Sequence, residues 1–263
     1  MRTRLPRMRR FSRRTVRPGP ATGPHARARE PTDERGRTAE CVSRVVTGSM
    51  ATRLSSLPST TPGDFDCQEV PREVFLGVLR DATEAIASVV PYAVIGGVAS
   101  AIHGRDRWTY DIDLFVRGVD ADAALEAIGR VGFDTTKRDP HWLYKGIRDG
   151  VLVDIIFLGT NGLEFDDEMM KRSTVHSFHG VPISVIGPED LLVFKATAHK
   201  EHRARDWFDA LGVLARAPID WDYLVGRSRH GARRMASLLL YAQSVDLAVP
   251  REAVLDVLTM ADP

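Results

Sequence analysis

Apolar positions recur at helical spacing through Val74, Phe75, Val78, Leu79, Ala82, Ile86 and Val89. That spacing predicts a helix over 70–90 with one buried stripe, with Pro71 in its first turn and Pro91 at its end. The period then changes. Residues 92–95 form a short apolar run that stops at Gly96-Gly97, as a buried strand entering a tight turn does. A helix follows over 98–103. Residues 112–116 read as a second strand with Asp111 at its entrance, and 122–131 as an amphipathic helix closed by Gly132. Strands over 141–147 and 151–158 flank Arg148-Asp149-Gly150, a hairpin turn signal. Residues 181–186 predict another short strand. From Pro188 the pattern is helical, over 189–202, 204–215, 221–226 and 232–244. The expected fold class is α/β (α+β): a mixed sheet, then a helical domain.

Residues 1–65 break from this pattern. They carry no apolar periodicity and are rich in Arg, Pro, Thr, Ser and Gly, a composition that buries too little apolar surface to offset the entropy of ordering. We therefore expect a disordered basic segment over 1–65, a sheet-bearing domain over 66–187 and a helical domain over 188–263. The net charge of +1 conceals the division. Residues 1–49 hold 13 Arg, no Lys and four Asp or Glu, about +9, which leaves about −8 for the rest. The segment lacks the apolar core of a secretory signal, and Met50, opening a less basic sequence, is a candidate start. Cys41 and Cys67 are too far apart and too few for a disulfide framework or metal cluster. No run approaches the ~20 apolar residues that cross a bilayer. A cytoplasmic protein with no membrane partner is expected.

The chemistry concentrates between Gly96 and Val116. Strand side chains alternate faces, so Asp111 and Asp113 point the same way while Ile112 and Leu114 point into the core. Two carboxylates forced together repel unless a cation lies between them. Mg²⁺ favours one or two carboxylates together with phosphate oxygens and water. The glycine turn before a helix lets backbone N–H groups approach a phosphate, and Arg107 and Thr109 can add donors. Asp154 stands alone in an otherwise apolar strand, where an ionised carboxylate is costly unless paired or metal-bound. If that strand lies beside 112–116, Asp154 reaches the same metals. Three carboxylates then support an in-line, two-metal displacement. The bland alternatives are a solvated Asp-x-Asp strand edge and a buried, hydrogen-bonded Asp154. His103 is read as packing, and Gly104 as a helix cap. Trp108 and Trp142 are read as packing residues, with base stacking as the sharper alternative.

Gly-Gly, a helix, then His103-Gly-x-x-Arg107-x-Thr109-x-Asp111-Ile-Asp113-Leu resembles the signature of the nucleotidyltransferase superfamily, which includes DNA polymerase beta-like, CCA-adding and aminoglycoside-modifying enzymes. Its AbiEii-like branch, which includes toxins of toxin–antitoxin pairs, is the most similar. The resemblance implies a nucleotidyltransferase palm, Mg²⁺ (or Mn²⁺), an NTP donor and release of pyrophosphate. Gly96, Gly97, Asp111 and Asp113 match the donor-site motif, and Asp154 the third carboxylate. A second match, Pro188-Glu-Asp-Leu-Leu-Val-Phe-Lys195 followed by Arg205-Asp206-x-x-Asp209, implies that Lys195 contacts the triphosphate and that Asp206 or Asp209 supports the site. From the residues alone, Lys195 needs an anionic partner if buried, with a snorkelling surface lysine as the alternative. Asp206 and Asp209 share a helix face, and pairing with Arg203 or Arg205 is their bland reading.

Three functions follow as expectations. The first is NMP transfer to a tRNA end or a protein hydroxyl, in a toxin–antitoxin or phage-defence role with a cognate antitoxin. The second is transfer to a small polycationic acceptor such as an aminoglycoside, which an acidic cleft would attract. The third is a nucleotide-binding module without catalysis, since fold alone does not establish activity.

Overall fold

The computed structural model describes residues 70–200 and 204–261. The expectations for the basic N-terminal segment, for both cysteines and for Arg203 lie outside the described residues.

Nine helices and seven strands are present among the described residues. In chain order they are α1 (Arg72–Ala87), β1 (Ala93–Val94), α2 (Gly96–His103), β2 (Asp111–Phe115), α3 (Ala121–Arg130), β3 (Asp134–Asp139), β4 (Leu143–Arg148), β5 (Val151–Ile156), α4 (Asp167–Arg172), β6 (Thr174–Phe178), β7 (Val181–Val185), α5 (Pro188–Ala198), α6 (Arg205–Arg216), α7 (Trp221–Arg227), α8 (Ala232–Ser244) and α9 (Arg251–Ala261). The strands form one open mixed sheet in the order β3-β4-β5-β2-β1-β7-β6. β2 runs parallel to β5 and β1 parallel to β7, and the other neighbours are antiparallel.

Helix α1 forms where the apolar stripe predicts it. Phe75, Val78, Leu79, Ala82 and Ile86 are buried on one side. It ends at Ala87, capped by Ser88, four residues before Pro91; Pro91 sits beyond the turn that follows and does not stop the helix. α1 and α3 pack together and against β7, β4 and β5, covering the face to which Ile112, Leu114, Val153 and Ile155 point, all of them fully buried. Each such side chain contributes about 1.5–3 kcal/mol of burial. On the opposite face, α5 and α2 lie against each other and α2 against β2, and there the strands carry their acids.

The hairpin is as the sequence predicts. Asp149 and Gly150 both take positive φ (52° and 77°), the conformation of a two-residue primed turn, and β4 pairs with β5 from Arg148–Val151 to Leu143–Ile156. Three elements carry no signal that apolar periodicity can read. β3 (DTTKRD) is polar and almost wholly exposed, an edge strand held by pairing to β4. β6 is mostly exposed and α4 spans only six residues. α9 lies beyond the last expected helix although a signal for it existed: Ala253, Val254 and Val257 fall at helical spacing and are buried.

One apolar cluster runs from Phe75 through Leu191, Leu192 and Val193 to Leu238 and Val257, so the core is continuous across residue 188, where the elements change type. A buried ionic group adds to it: the Arg227 Nε donates to Asp190 at 2.7 Å and Nη1 to Asp166 at 2.5 Å, linking α7 to α5 and to the cap of α4. No described helix is long and apolar enough to cross a membrane.

Candidate active site

The parallel register of β2 and β5 sets Asp113 directly opposite Asp154, and Asp111 opposite Leu152. Side chains two apart share a face, so Asp111, Asp113 and Asp154 all project on the side that α5 approaches. They line one cavity of about 300 Å³ together with Gly96, Gly97, Arg107, Lys195, Arg205 and Asp206.

The glycine pair lies within α2 as its first two residues, not in a turn ahead of a helix that begins at Val98. Gly96 has φ +62°, a conformation that costs an L-residue. A Cβ there would lie 1.7 Å from the Asp113 Oδ2, and one at Gly97 would lie 2.4 Å from the Thr109 Oγ1. Both glycines therefore make room for the acid strand to press against the helix start. The Gly97 N–H faces the Asp113 carboxyl and favours its charged form, so a carboxylate sits at the helix terminus that a phosphate would seek. Gly104 does cap α2, accepting no strain at φ −166°. Its lack of a side chain matters for another reason: a Cβ would meet the Gly212 carbonyl carbon at 2.3 Å, so α2 and α6 cross backbone to backbone.

Each acid has its own surroundings. The Asp113 carboxyl is pushed up to about 7 by burial, with the Asp111 and Asp154 charges adding to the effect. Asp154 is also raised, first by burial, while the Lys145 Nζ at 2.7 Å on the facing strand pulls against it. Asp111 accepts the hydroxyl of buried Thr109. Thr109 thus orients an acid, and its expected phosphate donor is already engaged.

A second group stands behind the cavity. Lys195 is buried, with its Nζ 3.0 Å from both the Asp206 Oδ1 and the Asp209 Oδ2, so the snorkelling alternative does not hold. Asp209 is wholly buried. The Arg107 Nε and Nη2 grip its two oxygens at 2.9 and 2.7 Å, and the Arg105 Nη1 adds a bond at 3.1 Å. Burial alone would raise the Asp209 carboxyl, but the Arg107 hydrogen bonds and the Lys195 charge outweigh it and hold it down to about 2. Asp209 therefore pairs with Arg105 and Arg107 and not with Arg205. Its carboxylate lies behind the cavity wall, while Lys195, Arg107 and Asp206 reach the cavity. His103 packs as expected, its Nε2 hydrogen-bonded to the Ile186 carbonyl at 2.7 Å.

Lys145 is absent from the sequence reading, although a signal for it existed. A two-residue turn at Asp149-Gly150 forces Arg148 opposite Val151, and counting back places Lys145 opposite Asp154. Trp142 stands at the cavity rim, 42% exposed, whereas Trp108 is packed between Phe75 and Phe178.

The donor set suits a hard divalent cation in one respect. Asp113 is a partly buried carboxyl whose charge is opposed by two neighbouring acids, and a cation would relieve that repulsion. Among the described residues no three His, Cys, Asp or Glu side chains converge as a closed ligand set. Asp154 turns to Lys145 and Asp111 to Thr109. A cation that takes only one or two protein carboxylates, with phosphate and water completing its shell, does not require such closure.

Acids from two parallel neighbouring strands, set against a glycine-led helix on an open mixed sheet, define a nucleotidyltransferase palm. The chain belongs to the family described as nucleotidyl transferase of unknown function (DUF2204), whose model matches residues 77–243. None of the curated proteins compared with it matches. Similar solved structures include an antigenic nucleotidyltransferase-like protein from Paracoccidioides brasiliensis, at 16% identity over 69% of this chain and 92% of that one, with a TM-score of 0.44. They also include the antibiotic-resistance factor ANT(2'')-Ia, at 13% identity over 66% and 100%, TM-score 0.44. The lincosamide antibiotic adenylyltransferase LnuA, bound to lincomycin, is similar at 16% identity over 56% and 98%, TM-score 0.40. Likeness at this level says nothing about the acceptor.

Proposed function

We propose that the protein transfers a nucleoside monophosphate from an NTP to an acceptor hydroxyl and releases pyrophosphate. The observation that carries this reading is the β2–β5 register, which puts Asp111, Asp113 and Asp154 on one face beside Gly96, Gly97 and Lys195. Asp111, Asp113 and Asp154 are the residues that would hold Mg²⁺ or Mn²⁺. When bound, the cation neutralises charge on the triphosphate and lowers the pKa of the acceptor hydroxyl. The chain's own residues do the rest. Lys195 offers an ammonium to the triphosphate, held in place by Asp206 and Asp209. Arg107 braces that arrangement through Asp209. The Gly97 N–H can turn to a phosphate oxygen.

The acceptor proposed first is a tRNA end or a protein hydroxyl, in a toxin–antitoxin or phage-defence setting. The similarity of the Lys195 and Arg205-Asp206-x-x-Asp209 motifs to AbiEii-like proteins supports it. Transfer to a small polycationic acceptor is the second reading, favoured by the net acidity of the sequence beyond residue 49. The test incubates the protein with each labelled NTP and Mg²⁺, together with total tRNA, an aminoglycoside panel or no acceptor. Label on RNA or on the protein itself supports the first reading, and label on a drug supports the second. No label from any NTP on any acceptor, with Asp111→Ala indistinguishable from wild type in cells, would favour a non-catalytic nucleotide-binding module.

A further inference from the structure

A second cavity of about 510 Å³ opens beside the acidic one and shares Trp142, Ile156, Phe194 and Ala198 with it. Its size falls in the range of small-molecule sites. Its character is the reverse of its neighbour's. Leu158 and the 159–162 loop complete its walls, and among its lining side chains only His141 can carry charge. The acidic cavity gathers four carboxylates and three cationic side chains. Contiguous cavities of such opposite polarity fit a ligand that is highly charged at one end and flat and apolar at the other.

The walls are held before any ligand arrives. Trp142 is large and 42% exposed, yet its Nε1 donates to the Asp139 Oδ2 at 2.9 Å, which fixes the indole plane. Phe194 packs edge-on against Phe115, with centroids 4.9 Å apart. The loop is closed by the Gly159 N–H bonded to the Leu163 carbonyl at 2.7 Å. Asn161 sits in the left-handed region at φ 58°, with its side-chain amide tied to the His230 carbonyl at 2.6 Å. An exposed aromatic held rigid at the mouth of an apolar cleft loses little entropy when a ring stacks on it.

We propose that this cleft receives the base of the donor nucleotide, with Trp142 as its stacking platform, while the triphosphate lies toward Gly97 and Lys195. The proposal rests on the nucleotidyl-transfer reading above. Thr160 and Asn161 are the cleft's only amide or hydroxyl side chains, and the Asn161 amide is already engaged. Stacking therefore dominates over hydrogen-bond readout, and stacking is tolerant of base identity.

The experiment compares, by titration calorimetry with Mg²⁺ and no acceptor, the binding of each NTP with that of inorganic tripolyphosphate, which carries the charge but no ring. Wild type should bind each NTP about 5- to 100-fold more tightly than tripolyphosphate. Trp142→Ala should lose most of that advantage with its tripolyphosphate affinity unchanged, and Trp142→Phe should keep most of it. An unchanged ratio in Trp142→Ala overturns the subsite while leaving nucleotidyl transfer standing. So does equal binding of NTP and tripolyphosphate by wild type, which would leave the cleft to the acceptor. If neither ligand binds, the nucleotidyl reading falls and this one with it.

Discussion

Replacing Asp113 with Asn removes its charge and leaves its size nearly unchanged. The carboxyl ionises near 3.8 in the unfolded chain and near 7 in the folded one. Between those values the folded chain keeps a proton that the unfolded chain has shed. Stability contributed by this group is therefore fully present below pH 3.8 and is lost as pH rises through 7. The window spans about 3 pH units at ~1.4 kcal/mol each, so the loss approaches roughly 4 kcal/mol. Asparagine carries no charge to desolvate, and its carbonyl can still face the Gly97 N–H. Its amide nitrogen must fit beside Gly96, which offsets part of the gain. In EDTA at pH 8 we expect Asp113→Asn to exceed wild type by about 1–4 kcal/mol, a Tm several degrees higher, with a smaller margin at pH 5. Denaturant titration at both pH values measures this. Mg²⁺ should then raise the wild-type Tm more than the variant's, since the variant keeps only two of the three opposed acids. A variant less stable than wild type at pH 8 in EDTA, or a margin that does not change with pH, would refute the reasoning.

Three further substitutions probe the supports. Gly96→Ala places a methyl 1.7 Å from the Asp113 Oδ2 at a positive φ, and should cost more than ~2 kcal/mol and abolish transfer, read by thermal melts and the labelling assay. Asp209→Asn leaves Lys195 and Arg107 without their shared carboxylate and should destabilise by about 3–5 kcal/mol. Because Asp209 is depressed from 3.8 to about 2, its contribution is full above pH 3.8 and disappears as pH falls through 2, so wild type and variant should converge in acid denaturation. Gly104→Ala drives a methyl into the α6 backbone at Gly212; it should lower the Tm without changing the affinity for tripolyphosphate, which a melt and a calorimetric titration separate.

Much of this protein was legible in its sequence because the signals were local. The alternation of Asp111, Ile112, Asp113 and Leu114 put the acids on one face by covalent geometry. Asp149-Gly150 fixed a hairpin and, with it, the partner of Asp154. The apolar stripe of α1 required a helix with one buried side. Other features were decided by pairing between distant segments. β3 and β6 are too polar to announce themselves and exist because a neighbouring strand offers hydrogen bonds. Whether Asp154 met Asp113 or faced away depended on β5 lying parallel beside β2, and a slip of one residue would have turned it to the other face. Arg105, Arg107 and Lys195 come from two stretches about 90 residues apart in sequence, and only the packing of α5 and α6 against the chain around α2 brings them onto one buried carboxylate. Sequence spacing fixes which way a side chain points. Which charge it meets is a property of tertiary contact, because burial and electrostatic partnership depend on distance in space and not along the chain.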